Sequence, residues 1–158
     1  MGDSPGFSAR ELAAAPAVAA PHEHVVRFQD IDAAGIVFFA RIHEYFHDAY
    51  TTVLRAEGCP LEEALQSRRW AAPLKSSEAH FLRPLRFGDA VSTALVRVRL
   101  DGSDLTMGYR TSLRGGEAAA VGVIRAVFVD LATFKRVSPP ADVAAVFKRI
   151  EAASAAAS

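Results

Sequence analysis

Arg27-Phe28-Gln29-Asp30-Ile31-Asp32-Ala33-Ala34-Gly35-Ile36-Val37-Phe38-Phe39, with the run from Arg41 to Glu57 behind it, decides the fold of this chain. An alternating apolar segment ends on two acids. A bend of small residues follows, and a short apolar run then leads into a strongly periodic segment. From Arg41 to Glu57 the apolar positions Ile42, Tyr45, Phe46, Ala49, Tyr50, Val53 and Leu54 recur at helical spacing, and Gly58 and Pro60 stop the helix. Asp32 thereby stands beside a Gly-containing loop whose backbone N–H groups lead into a helix N-terminus. Free amides together with the helix dipole suit a developing oxyanion.

Upstream of the bend, His24 to Phe28 reads as a short strand. Downstream of the helix, Leu61 to Arg69 reads as a second, shorter helical segment, and most of what remains is strand and hairpin. Val96, Val98 and Leu100 alternate with Arg97 and Arg99; Leu105, Met107, Tyr109 and Leu113 alternate with Thr106, Arg110, Ser112 and Arg114. Asp101-Gly102-Ser103-Asp104 and Gly115-Gly116 are hairpin turns. Ala118 to Val129 is apolar on both faces except at Arg125, the pattern of a strand covered on both sides. Pro140 to Ile150 closes the chain with a small amphipathic helix. One long helix and several antiparallel strands make an α+β domain, a sheet wrapped around that helix.

A chain of 158 residues, 51% of them hydrophobic, is long enough for one domain with a real core. The domain is expected over residues 23–151, between a flexible tail at 1–22, rich in Ala with Pro5, Pro16 and Pro21, and a second tail at 152–158. Asp3 and Glu11 spoil a basic signal-peptide n-region. Lys+Arg 18 against Asp+Glu 18 gives zero formal charge, which argues against nucleic acid as a partner. No apolar run reaches membrane-span length. A single cysteine, Cys59, excludes an internal disulfide and fits a cytoplasmic protein.

The pattern Asp30-x-Asp32-x-x-Gly35-Ile36-Val37 resembles the active-site signature of the 4-hydroxybenzoyl-CoA thioesterase family, a hotdog-fold group. The stretch Phe81-Leu82-Arg83-Pro84-Leu85-Arg86-Phe87-Gly88-Asp89 is similar to a strand-ending element of that family, and the resemblance runs from about His24 to Asp130. Asp32-Ala33-Ala34-Gly35-Ile36-Val37-Phe38-Phe39-Ala40 also looks like the 1,4-dihydroxy-2-naphthoyl-CoA hydrolase branch. The resemblance implies the hotdog arrangement and hydrolysis of an acyl-CoA thioester without metal or organic cofactor, coenzyme A entering only as part of the substrate. It places the catalytic carboxylate at Asp32, a polarising N–H near Phe39, and substrate contacts at Gly35, His43 and Asp48, the last toward a ring hydroxyl. Phe39 stands where a short-chain branch often carries His, which favours an aromatic or bulky acyl group. The resemblance further implies edge-to-edge dimers with the active site at the seam, paired into a dimer of dimers. The basic cluster of the 4-hydroxybenzoyl branch is replaced by Asp101-Gly102-Ser103-Asp104, leaving Arg83, Arg86, Arg110, Arg114, Lys135 and Arg136 as candidates for the phosphates.

The residues carry the same chemistry on their own terms. Thioester hydrolysis needs a carboxylate nucleophile or an activated water, and donors for the carbonyl oxygen. Asp32 supplies the first, the amides between Gly35 and Ala40 the second. An aspartate here also suits a turn or helix cap. Asp30 reads as a structural loop hydrogen-bonder. His43-Glu44-Tyr45-Phe46-His47 satisfies the zincin pattern H-E-x-x-H on a helix, yet no third-ligand extension follows it. A hotdog module that binds an acyl-CoA or a carrier protein without turnover shares every one of these fold signals.

Overall fold

The apolar stripe from Ile42 to Leu54 forms a helix, α2 (Arg41–Ala56), and every stripe residue is buried. Side chains of this size stabilise a fold by about 1.5–3 kcal/mol each when removed from water, so α2 is the axis on which the rest condenses. A computed structural model describes residues 6–156 of the chain. Around α2 wraps a five-stranded sheet of β1 (His22–Val25), β2 (Leu74–Phe81), β3 (Ala90–Asp101), β4 (Asp104–Leu113) and β5 (Ala118–Val127). All pairings are antiparallel, in the order β1-β3-β4-β5-β2. This is the hotdog arrangement. Phe46 of α2 stacks on Tyr109 of β4, ring centroids 5.1 Å apart and 16° from parallel. A short helix, α3 (Leu61–Ser67), follows α2. No helix among the described residues is long and apolar enough to cross a membrane.

The two edges of the sheet are treated differently. β1 reaches along β3 only from Ala90 to Thr93. The rest of that edge is closed by α4 (Ala141–Ala156): Lys148 Nζ donates to the Leu100 carbonyl at 2.6 Å, and the Val98 N–H donates to Ser154 Oγ at 3.4 Å. The tail expected at 152–158 is therefore helix as far as Ala156, with Ser154 buried against the sheet; residues 157 and 158 lie outside those described. On the opposite edge β2 is mostly exposed and, among the described residues, pairs only with β5.

The expected flexible tail at 1–22 is also corrected, apart from residues 1–5, which lie outside those described. From Gly6 the chain lies on the outer face of the sheet as a strap built around α1 (Ala9–Ala14), whose N-cap Ser8 accepts the Glu11 N–H at 3.2 Å. Leu12 and Ala15, 1% and 2% exposed, pack on Ala94, Val96, Val121 and Val123. A helix this short does not persist alone; the sheet beneath stabilises it, which local sequence does not announce. After the strap the Val18 N–H donates to the Leu95 carbonyl at 3.0 Å, and the chain passes on into β1. β5 is thus covered on both faces as its composition requires, the outer cover being the chain's own N-terminus.

His24 of β1 meets the Tyr45 ring edge-on, centroids 4.2 Å apart, and both its ring nitrogens are buried without a hydrogen-bond partner among the described residues. Burial and then His22 lower its pKa, against weaker opposition from Asp48 and Asp30. The folded chain holds His24 neutral, whereas the unfolded chain takes up a proton near the ordinary value of about 6.5. Stability is therefore full above that value and is lost as the pH falls through the lowered folded value. His43, its pKa lowered by burial, adds an effect of the same sign. Urea midpoints should fall between about pH 7.5 and about 5.5, and His24→Phe should flatten part of that slope; an unaltered slope in the variant would show that His24 is not the group responsible.

Candidate active site

The bend carrying Asp32 is built on its neighbour Asp30. Its carboxylate is fully buried at the end of a 3₁₀ turn, Phe28–Asp30. It accepts from the Arg27 main-chain N–H at 3.0 Å, from Arg27 Nε and Nη2 at 3.1 and 2.9 Å, and from the Tyr45 hydroxyl at 2.9 Å. Burial alone would raise the Asp30 pKa; the hydrogen bonds from Arg27 and Tyr45 outweigh it and bring it down. The Tyr45 phenol is pushed well up, by burial and then by Asp30. The Asp30 carbonyl also accepts the Phe38 N–H at 2.8 Å, and Ile31 bridges Val37. Both ends of the bend are thereby clamped to each other and, through Tyr45, to α2.

Above this clamp Asp32 closes its own turn. Its N–H donates to the Ile36 carbonyl at 2.9 Å, its carbonyl accepts the Gly35 N–H at 3.0 Å, and Oδ1 accepts the Ala34 N–H at 2.8 Å. Among the described residues, Oδ2 has no hydrogen-bond partner and no cation pairs with the carboxylate. Gly35 takes φ +75°, and, its chain neighbours aside, no atom of the described residues lies within 4 Å of where a Cβ would stand. A left-handed turn, rather than close approach, is what demands glycine here.

Asp32 borders a cavity of about 380 Å³ lined also by Val37, Phe39, Ile42, Leu82 and Arg83. The amides of Phe39 and Ala40 donate to no acceptor among the described residues, and Ala40, the N-cap of α2, brings no side-chain cap. An unbonded carboxylate oxygen, an apolar recess and uncommitted amides at a helix N-terminus therefore share one region.

Two other sequence candidates lie elsewhere. The His43 ring bonds through Nδ1 to Ser77 Oγ of β2 at 2.6 Å and lines neither this cavity nor the next. Asp48 is exposed, and its charge acts on His24 on the β1 side of α2. The residue before it, His47, a turn of about 100° away on the helix, lines a second cavity of about 330 Å³ together with Tyr50, Trp70, Leu74, Met107 and Phe134. Trp70 and Phe134 escaped the sequence reading because neither sits in a periodic segment. A lone tryptophan directly after Arg68-Arg69 was the available signal. In the H-E-x-x-H segment Glu44 pairs with Arg41 at 2.6 Å, and among the described residues no three His, Cys, Asp or Glu side chains gather as a ligand set. Of the six basic candidates, Arg83 alone borders the Asp32 cavity, ion-paired with Glu117. Arg110 is turned to the outer face, where it holds the strap carbonyls of Ala13 and Ala15.

A family model described as the thioesterase-like superfamily matches residues 26–147. The chain belongs to the thioesterase-like superfamily. It is a thioester hydrolase, and its relatives carry the corresponding names. A 1,4-dihydroxy-2-naphthoyl-CoA hydrolase from Thermosynechococcus vestitus is 29% identical over 119 residues, which cover 75% of this chain and 82% of that protein. The crystal structure of a 1,4-dihydroxy-2-naphthoyl-CoA thioesterase from Synechocystis superposes with a TM-score of 0.75 at 22% identity, over 82% of this chain and 95% of that one. A gentisyl-coenzyme A thioesterase structure does so with a TM-score of 0.70 at 24% identity, over 78% and 98%. At these identities the two superpositions establish the shared fold.

In this thioesterase-like chain the two acids of the bend differ in burial and bonding. Asp30→Asn removes a buried charge from a saturated network and should lower unfolding stability by about 3 kcal/mol. Asp32→Asn, on an open turn, should stay within about 0.5 kcal/mol of the parent. Urea unfolding of the two variants, side by side, checks the assignment; equal losses would contradict it.

Proposed function

We propose that this protein is a cytoplasmic acyl-CoA thioesterase acting on an aromatic acyl group of the hydroxybenzoyl or dihydroxynaphthoyl kind, with Asp32 as its catalytic carboxylate. The observation that carries the reading is the unbonded Oδ2 of Asp32 at an apolar cavity beside the uncommitted amides of Phe39 and Ala40. The thioester carbonyl oxygen sits at those amides, where the α2 dipole adds to their attraction for the charge that develops. Oδ2 then either attacks the carbonyl carbon, releasing the CoA thiolate and leaving a mixed anhydride that water opens, or takes a proton from the water that attacks. Arg83, which borders the cavity, is the basic residue we assign to a CoA phosphate, a reading supported by that position alone.

The aromatic preference draws on the relatives' names and on the second cavity, walled by Tyr50, Trp70, Tyr109 and Phe134. Its relation to Asp32 follows from β2. Phe81 at one end of this strand borders the Asp32 cavity, and Leu74 at the other end borders the aromatic one. Antiparallel pairing of β2 with β2 of a second copy lays the first end along the second, so each Asp32 would face the partner subunit's aromatic cavity. An exposed edge strand is the kind of surface that such pairing protects.

Free-thiol release from a panel of benzoyl, 4-hydroxybenzoyl, 1,4-dihydroxy-2-naphthoyl, acetyl and palmitoyl CoA should favour the hydroxylated aromatic members. On the best of them Asp32→Asn should lower kcat by about 100-fold or more, while its circular dichroism matches the parent; near-parental turnover would remove Asp32 from the mechanism. Exhaustive chelation should leave kcat unchanged, since His43 and His47 face different partners. Activity lost to chelator and regained with Zn²⁺ would restore the histidine pair as a metal site.

A further inference from the structure

The outer face of the sheet is apolar along its middle, with Ala94 and Val96 of β3, Gly108 of β4 and Val121 and Val123 of β5 side by side. Such a face needs a cover. Here the cover is residues 7–15, which precede the segment that the family model matches, 26–147. The strap therefore lies outside the segment that the family model matches.

Its seating is specific. Leu12 lies so close over Gly108 that a Cβ on that glycine would overlap its side chain, and Phe7 would lie 3.1 Å from the same Cβ. Three sheet arginines hold the strap from below. Arg97 Nε donates to Glu11 Oε1 at 3.2 Å, and the Arg99 guanidinium sits 5.2 Å from the centre of the Phe7 ring. Arg110 Nη1 donates to the Ala13 and Ala15 carbonyls, two acceptors that the C-terminal turn of α1 leaves open. Arg125 passes against Gly6 and reaches Glu78 on β2. Apolar contact, charge and main-chain acceptors are all matched at one place.

We infer that the strap, Phe7 to Ala15, is an intramolecular cap that occupies the outer sheet face in place of a second copy of this chain, and so ends the assembly at the edge-to-edge pair rather than a dimer of dimers. With the strap in place the face presents α1 and its polar outer side: Ser8, Arg10, Glu11 and Ala14 are exposed. Without it, Ala94, Val96, Val121 and Val123 leave an apolar surface open, which a second copy can cover about a two-fold axis. The catalytic bend lies on the other side of the sheet, so capping leaves the chemistry of each site untouched.

The test is the mass of the assembly by multi-angle light scattering for three proteins: the full chain, a chain starting at Ala17, and the full chain carrying Leu12→Asp. The full chain should keep one mass across a hundredfold range of concentration. The shortened chain should double that mass, with turnover per site within about twofold of the parent. Leu12→Asp, which dislodges the strap without deleting it, should move the same way. Should the shortened chain precipitate, Val123→Lys in it must restore a soluble assembly of the parent mass; failure of that rescue overturns the inference. A full chain that is already tetrameric overturns it, as does a shortened chain that stays soluble at the parent mass. The inference rests on the β2 pairing proposed above, so a monomeric full chain overturns it together with that pairing, whereas a tetrameric full chain overturns it alone.

Discussion

The buried carboxylate of Asp30 is the constraint on which the working part of this protein depends. It gathers three donors from Arg27 and one from Tyr45, and its own carbonyl closes the bend by accepting the Phe38 N–H. A charge without solvent contact is tolerable only where donors surround it, so the strand end, the bend and the first turns of α2 are held in one relative position. Asp32 inherits that position. Two residues along, it can remain half-exposed with an oxygen unbonded because the structural burden rests on its neighbour.

The sheet shows the same economy of cover. Its β3 edge is closed by β1 and α4, its inner face by α2, and the middle of its outer face by the strap. What stays open is β2, with exposed Leu74 and Phe81 at its two ends, each bordering one of the two cavities. An exposed strand edge is a hazard unless it is used. Among the described residues, the long edge left unprotected runs between the Asp32 recess and the aromatic one. Binding energy from an aromatic acyl group, delivered to a recess formed by a second copy, would be available only to the assembled protein.

The α2 stripe, the two hairpin turns and the acid bend were all legible in the chain, because each is a local pattern: helical period, turn chemistry, two acids before a glycine. The structural, hydrogen-bonding role of Asp30 was legible as well. Other features were not. His43 and Asp48 sit at the right distance along the chain for a substrate role, but a helix turns about 100° per residue. That rotation sends His43 to Ser77 and Asp48 to the His24 side, and leaves His47 at the aromatic cavity. Trp70 and Phe134 come together from segments without period, so no window of sequence contains their relationship.

Residues 6–16 carry the sharpest contrast. A short alanine-rich stretch closed by proline reads as a tail, and by local propensity that reading is sound, since a helix of this length has too few internal hydrogen bonds to hold itself. Its order comes from residues about 80 to 110 positions later: Ala94, Val96 and Gly108, and the guanidinium groups of Arg97, Arg99 and Arg110. The sequence by itself determined the period of α2, the turns that fold the sheet back on itself, and the carboxylate-and-glycine bend that marks a thioesterase-like chain. The tertiary structure alone decided which side chains share a cavity and which terminus lies on which face, because burial and partnership are properties of the assembled surface and have no local signature.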